Sequence, residues 1–334
     1  MTSKKPKSKA KKYLVTGGTG FIGSSLVKAL LEGGASVRSL DNDSRGARRR
    51  LGNAARDVEL IKGDIRDPAT VMKAARGMDS VAHLAYVNGT EFFYTKPDLV
   101  LDVAVRGMVN VIDAVLKHDV EELVLASSSE VYQTPPKVPT DETAPLSVPD
   151  PLNPRYSYGG GKIIAELMAL NYGRTRIPRV LVFRPHNAYG PDMGWEHVIP
   201  QLAIRAARLR DMAKGSSIEL PIQGTGQERR SFIYIDDLVA GVVAVIEKGE
   251  HLGIYHVGTG DEVTITELAT EIGRSIGVDV KVVPGKLQPG GTLRRCPDIT
   301  RLRSLGFTPK TSLRDGVATT TRWYVEHLEQ APSA

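Results

Sequence analysis

Short apolar runs alternate with helical periodicity along the first half of the chain. Tyr13 to Thr16, Val37 to Leu40, Glu59 to Lys62, Val81 to Leu84 and Leu123 to Ser127 read as buried strands. Phe21 to Leu31, Ala69 to Arg76 and Leu99 to Lys117 read as helices, and a helix near Tyr158 precedes a further strand, Val180 to Arg184. Such alternation predicts the α/β class, with a doubly wound parallel sheet and right-handed crossovers. After Asn187 the texture changes. Glycine, proline and basic residues become frequent and helical periodicity weakens, although Phe232 to Ile235 and Ile254 to Val257 still read as strands.

Two helices are apolar on nearly every face. Leu99 to Leu116 carries Val100, Leu101, Val103, Val105, Met108, Val109, Val111, Ile112, Val115 and Leu116; the Tyr158 helix carries Ile163, Ile164, Leu167, Met168 and Leu170. A helix of this kind needs cover on two sides. The sheet covers one. A homodimer through 99–117 and 158–172 is expected to cover the other, the alternative being the proline-rich loop from Pro135 to Pro154.

With 334 residues and 41% hydrophobic content, the chain is long enough for two domains or one large one, and for a packed core. The single cysteine, Cys296, excludes an internal disulfide framework and fits a cytoplasmic location; it reads as a packing residue. No apolar run suits a bilayer, and a secretory signal is not expected. The net charge of +6 is local, since Lys4, Lys5, Lys7, Lys9, Lys11 and Lys12 supply as many positive charges. The tail over 1–11 is expected to be disordered, and without interleaved aromatics it gives no case for nucleic acid binding. No metal site is expected.

Gly17, Gly20 and Gly23 stand directly between the first strand and the first helix. In that context the first two glycines let the backbone approach a pyrophosphate and the third lets the helix pack on the strand. A Rossmann-like domain is therefore expected over 12–186, with a return contribution from about 232–258. Residues 187–231 and 259–330 are left for a smaller C-terminal substrate-binding lobe. Asp41 ends the second strand, where a carboxylate accepts from an adenosine ribose, which favours NAD over NADP. Arg45 and the run Arg48-Arg49-Arg50 complicate that preference, because an arginine binds a 2′-phosphate. Asp64 could meet the adenine or cap the helix region that follows it.

Tyr158 and Lys162 lie four positions apart, on one face of a helix. A free tyrosine has a pKa near ~10, and lowering it to about 7 takes roughly 4 kcal/mol. A neighbouring ammonium together with a cationic nicotinamide supplies charge of the required sign. A chance surface pair is the alternative.

The ordered set of motifs resembles the extended short-chain dehydrogenase/reductase family, specifically its nucleotide-sugar epimerases and dehydratases, over about residues 12–325. It comprises Gly17 to Gly23, Asp41-Asn42, Gly63-Asp64-Ile65, His83-Leu84-Ala85, Ser127-Ser128-Ser129-Glu130-Val131-Tyr132, Tyr158 to Lys162, Arg184-Pro185-His186-Asn187-Ala188-Tyr189-Gly190-Pro191 and Arg230-Ser231-Phe232. The resemblance implies that Gly17, Gly20, Phe21, Ile22, Gly23, Asp41, Asn42, Asp64, Ile65, Leu84, Ala85, Ser127, Tyr158, Lys162 and Pro185 hold NAD. It implies that Tyr158 takes the C4 hydroxyl proton while a hydride leaves for NAD, giving a 4-keto sugar. Lys162 would lower the tyrosine pKa, Ser128 would bond the sugar oxygen, and Ser127 would face the nicotinamide unless it caps the strand end. Ser128, Ser129, Asn187, Arg230 and Arg295 would bind a UDP-, dTDP-, GDP- or CDP-linked sugar, with Arg229 and Arg294 as substitutes for their neighbours.

Glu130 stands where dehydratases and UDP-glucuronate decarboxylases carry a glutamate; an exposed strand-end carboxylate is the other reading. Ser129 replaces the aspartate of the dehydratases. Gly161 replaces the serine of YxxSK, three glycines before Lys162 could loosen the helix start, and Ala104 stands where an asparagine is usual. His186 reads as a satisfied wall residue. Beside an epimerase or dehydratase, a UDP-hexuronate decarboxylase, an NADPH-type sugar ketoreductase and a non-catalytic dinucleotide sensor remain open.

Overall fold

A computed structural model describes residues 10–213, 215–286 and 292–332. The first half builds β1 (Lys12–Thr16), α1 (Phe21–Glu32), β2 (Ser36–Asp41), β3 (Val58–Lys62), α2 (Pro68–Ala75), β4 (Ser80–His83), α3 (Thr90–Thr95), α4 (Pro97–Lys117), β5 (Glu122–Ala126), α5 (Ser157–Gly173) and β6 (Arg179–Pro185). The second half builds β7 (Ala188–Tyr189), α6 (Val198–Met212), β8 (Ser217–Pro221), β9 (Arg229–Ser231), β10 (Ile233–Tyr234), α7 (Ile235–Lys248), β11 (Gly253–Val257), β12 (Glu262–Thr264), α8 (Ile265–Ser275), β13 (Asp279–Val283), β14 (Arg294–Arg295), α9 (Thr300–Ser304) and α10 (Leu313–Glu326).

Seven strands form one sheet in the order β11-β6-β5-β4-β1-β2-β3, every pair parallel. The strands are apolar on both faces because both faces are covered. Within β1, Val15 points into a core shared with Leu26 of α1 and Val242 of α7. Its neighbour Leu14 points into the opposite core with Val71 of α2, Met108 of α4 and Ala165 of α5. A third apolar cluster joins α6, α8, α10 and β8 through Leu202, Leu268, Val317 and Leu220.

Several expectations change. Phe232 to Ile235 is not one strand: β9 lies in a three-stranded sheet with β12 and β14, β10 pairs with β7, and Ile235 opens α7. Asp236 and Asp237 in the first turn of α7 favour a helix start there. The amphipathic helices α6, α7, α8 and α10 were hidden by the mixed composition of the second half. Two carried a readable signal. Thr264 and Glu267 form a capping box at α8, and the Ser312 hydroxyl accepts from the Asp315 amide at α10.

The glycines before Lys162 do not loosen α5, which runs unbroken from Ser157. A Cβ at Gly159 would stand 2.8 Å from the Glu130 carbonyl oxygen, and one at Gly161 would stand 2.7 Å from the Ala104 Cβ. These glycines serve close packing.

The expected tail lies outside the described residues up to position 9, but Lys11 does not belong to it. Its ammonium donates to the Glu122 carboxylate at 2.8 Å, a buried group that also accepts from Ser80 and Arg179. The proline-rich loop does not cover the outer face of α4 and α5, where Leu101, Val109, Ile164 and Leu167 stay exposed. Among the described residues no helix is long and apolar enough to cross a membrane.

Candidate active site

A cleft of about 400 Å³ opens at the carboxyl ends of the strands. Its floor is the β1–α1 turn. Gly17 has φ +74°, donates its amide to the Leu40 carbonyl at 2.8 Å, and leaves no room for a side chain: a Cβ would stand 2.7 Å from the Ala85 nitrogen. A Cβ on Gly23 would stand 2.0 Å from the Gly17 oxygen. Gly20 caps α1 without a side chain, and no acidic residue occupies the first turn. The first-turn amides of Phe21, Ile22 and Gly23, unpartnered within the helix, therefore offer an anion site at the cleft.

Asp41, Asn42, Asp64, Ile65, Leu84 and Ala85 line the same cleft. The Asp41 carboxylate accepts from the amides of Thr19 at 3.0 Å and Asp43 at 2.9 Å. Asn42 donates to Asp64 at 3.1 Å. Asp64 does not cap α2; Asp67 does. Instead the Arg66 guanidinium bonds Asp64 at 2.8 Å and holds its carboxyl down to about 2. The arginines after β2 are not simply a solvated loop. Arg45 pairs with Glu196 at 3.2 Å, and Arg49 and Arg50 both pair with Asp192, so the loop is tied to the segment before α6.

Tyr158, Lys162, Ser127, Ser128, Ser129, Glu130, Pro185, Asn187 and Arg295 also line the cleft. Tyr158 is nearly buried, stacked on Phe93 at 4.9 Å and edge-on to Tyr86 at 5.1 Å. Burial pushes its phenol up to about 12, against the Ser128 hydrogen bond, which lowers it. The expected low pKa is thus absent from the protein alone, because desolvation outweighs the neighbours it has. Lys162 donates to the Ala126 carbonyl at 2.6 Å, and burial brings its ammonium down to about 7, with Glu166 opposing.

The Ser127 hydroxyl lines the cleft with its proton already engaged. It donates to Glu166, which in turn takes Nε of Arg184 at 2.8 Å and Nη2 at 2.6 Å. Arg184 continues to the Tyr132 hydroxyl. Since His256 Nδ1 faces the Asp298 carbonyl at 3.0 Å, its Nε2 accepts from Tyr132 at 2.6 Å. Burial holds that imidazole down to about 4, so it is neutral and its 3.9 Å approach to Glu142 is no ion pair. His186 is not satisfied: it is buried against His256, and neither ring nitrogen has a partner among the described residues.

Glu130 is no exposed carboxylate. Arg295 donates to it at 2.5 Å. Burial alone would raise Glu130, yet the Arg295 charge and hydrogen bond, with Arg155 and Arg230 nearby, hold it below the usual range. Arg230 itself does not reach the cleft wall. Its guanidinium donates to the carbonyls of Arg229, Thr292 and Leu293. Its proposed substitute Arg229 is exposed on β9, and Arg294, the substitute for Arg295, pairs with Glu262. Asn187 lines the cleft while its amide donates to the Ser231 carbonyl at 2.7 Å. Sequence reasoning missed Tyr86 and Arg155. Tyr86 directly follows His83-Leu84-Ala85, and Arg155 lies three residues before Tyr158, so both were within reach of the motifs.

Residues 13–258 match the NAD dependent epimerase/dehydratase family, and the chain belongs to it. It is 30% identical to the dTDP-glucose 4,6-dehydratase of Streptomyces niveus over 326 residues, 94% of this chain and 92% of that protein. It is also 30% identical to UDP-glucuronic acid decarboxylase 4 of Arabidopsis thaliana, across 93% of this chain and 68% of that one. Among solved structures, UDP-glucose 4-epimerase from Thermotoga maritima with UDP-glucose matches with a TM-score of 0.83 at 27% identity, covering 95% of this chain and 99% of the other. The cofactor is NAD, and the side-chain-free glycine cradle with its uncapped helix fits a dinucleotide pyrophosphate.

Proposed function

We propose that the chain acts on a nucleotide-diphosphate-linked hexuronic acid, oxidising C4 and releasing the C6 carboxyl as carbon dioxide. The observation that carries this reading is the Arg295–Glu130 pair in the cleft that Tyr158 lines. Arg295 bonds Glu130, and the charges of Arg155 and Arg230 lie near enough to lower it further, so net positive charge remains beside that carboxylate for a second anion. An arginine fork suits a carboxylate better than a point charge does.

Bound NAD supplies a hydride acceptor and a positive charge. Tyr158 takes the C4 hydroxyl proton, Ser128 bonds the sugar oxygen, and Lys162 favours the phenolate by its charge. The resulting ketone is β to the C6 carboxylate. Held by Arg295, that carboxylate loses carbon dioxide as the C5–C6 electron pair moves into a C4–C5 enolate. The enolate would take a proton from water at C5, and Tyr158 would give its proton back to the C4 oxygen as C4 regains a hydride.

Dehydration needs a base at C5 and an acid at the C6 hydroxyl. Ser129 supplies no acid, and a Glu130 held low by Arg295 is a weak base. A cytoplasmic homodimer through the exposed apolar face of α4 and α5 belongs to the same reading.

The test is product mass and stereochemistry on UDP-, dTDP-, GDP- and CDP-linked hexuronates and hexoses. Loss of carbon dioxide from a hexuronate supports the proposal. Loss of water, or unchanged mass with inverted C4, overturns it in favour of a dehydratase or an epimerase. No turnover across the panel with NAD retained overturns it in favour of a sensor. Tyr158→Phe should keep NAD and lose at least ~100-fold in turnover.

A further inference from the structure

We infer that Tyr86 is a positioning residue for the reaction, its ring face seating the Lys162 ammonium beside Tyr158. This rests on Tyr158 acting as the base. Lys162 Nζ lies 3.8 Å from the Tyr86 ring centroid and 2.6 Å from the Ala126 carbonyl oxygen, so the ammonium is held between a carbonyl and an aromatic face. The Tyr158 ring centroid is 5.9 Å from the same nitrogen. The Tyr86 hydroxyl also donates to the Tyr158 carbonyl at 3.3 Å. One side chain thereby touches both reacting residues of α5.

The space Tyr86 occupies explains one departure noted in the sequence, the glycine at position 161. A Cβ on Gly161 would stand 2.2 Å from the Tyr86 hydroxyl oxygen and 2.7 Å from the Ala104 Cβ. The serine usual before the lysine in the resembling family is therefore replaced by glycine, and the aromatic fills the gap. The exchange removes a polar side chain next to Lys162 in sequence and leaves a π face against the buried ammonium. Such a face attracts the cation but cannot accept its proton, and its strength grows with desolvation.

Other groups facing this pair do not replace the ring. On α5, Glu166 favours the charged lysine but is shared with Arg184 and Ser127. From β4, His83 is buried, held down to about 3 and bonded to Thr16 at 2.7 Å. The segment after β5 turns Ser128 and Glu130 toward Tyr158, the first favouring its ionisation and the second opposing it. From α3 and α4, Phe93 and Ala104 bring no charge.

The test compares Tyr86→Phe, which keeps the ring, with Tyr86→Leu, which removes it; Tyr86→Met serves if the leucine variant does not fold. Tyr158 ionisation is followed by ultraviolet difference titration of the NAD-loaded protein, with Tyr158→Phe subtracted, and turnover is measured on the substrate found above. Tyr86→Phe should match the parent within about twofold. Tyr86→Leu should raise the Tyr158 midpoint by about one pH unit, the scale of a desolvated cation–π contact. Its kcat should fall about tenfold with KM within about twofold. An unchanged midpoint in Tyr86→Leu, or equal damage in Tyr86→Phe, overturns the inference. Undiminished turnover in Tyr158→Phe would instead overturn the base assignment on which it rests.

Discussion

The Arg295 guanidinium and the Glu130 carboxylate meet at 2.5 Å across 165 residues of chain, joining the segment after β5 to β14 at the cleft wall. The pair fixes the orientation of both groups. It also makes either one costly to remove alone, because the survivor is a charge already withdrawn from water.

Arg295→Met should therefore reduce kcat/KM on a hexuronate by about 10- to 100-fold, the equivalent of a charge-assisted hydrogen bond. Arg295→Lys should recover only part of that, since a point charge cannot form the fork. Steady-state kinetics of the two variants beside the parent provide the measurement.

Gly23→Ala should abolish NAD retention, because its methyl would be driven to within 2.0 Å of the Gly17 oxygen in a rigid turn. The readout is cofactor released on denaturing the purified variant. Retention near the parent level would mean that the turn relaxes, and the cradle assignment would fail.

Lys162 gives a pH signature without any substrate. Its folded pKa of about 7 lies below the ordinary lysine value of 10.5, so between those values the unfolded chain binds the extra proton. Stability of the NAD-free protein should then rise from pH 7 toward pH 10.5. Lys162→Met should remove that rise and show a Tm a few degrees above the parent at pH 6. Buried His83 and His256, held down to about 3 and about 4, act at the acid side: stability should fall as pH drops below about 6.5. Thermal melts across this range test both limbs.

Leu167→Glu places a charge on the most open apolar position of α5, 55% exposed. If that face joins two copies, sedimentation should show a monomer in place of the parent dimer, with NAD still bound. A parent that is already monomeric at micromolar concentration removes the interface.

The strands of the sheet were readable because both faces are buried, which leaves continuous apolar runs such as Leu123 to Ala126. The glycine cradle and the Tyr158–Lys162 pair were readable because their geometry is local, set by a turn or by one helical turn. The helices of the second half were obscured by polar outer faces, although the caps at Thr264 and Ser312 marked two of them. Side-chain direction was not legible. Ser127 turns to Glu166, and Arg230 spends its guanidinium on backbone carbonyls, because partners distant in sequence decide where each points. For the same reason Gly161 looked like a weakness until Tyr86 was seen to fill the space above it.

At the amino ends of the interior strands β1 and β5, the bridge from Lys11 to Glu122 sets a practical limit on trimming. Shortening the basic N-terminus through residue 10 leaves this cation in place. Cutting one residue further strips a counter-charge from a carboxylate that is 2% exposed, and the loss would be felt at the base of β5, far from any substrate.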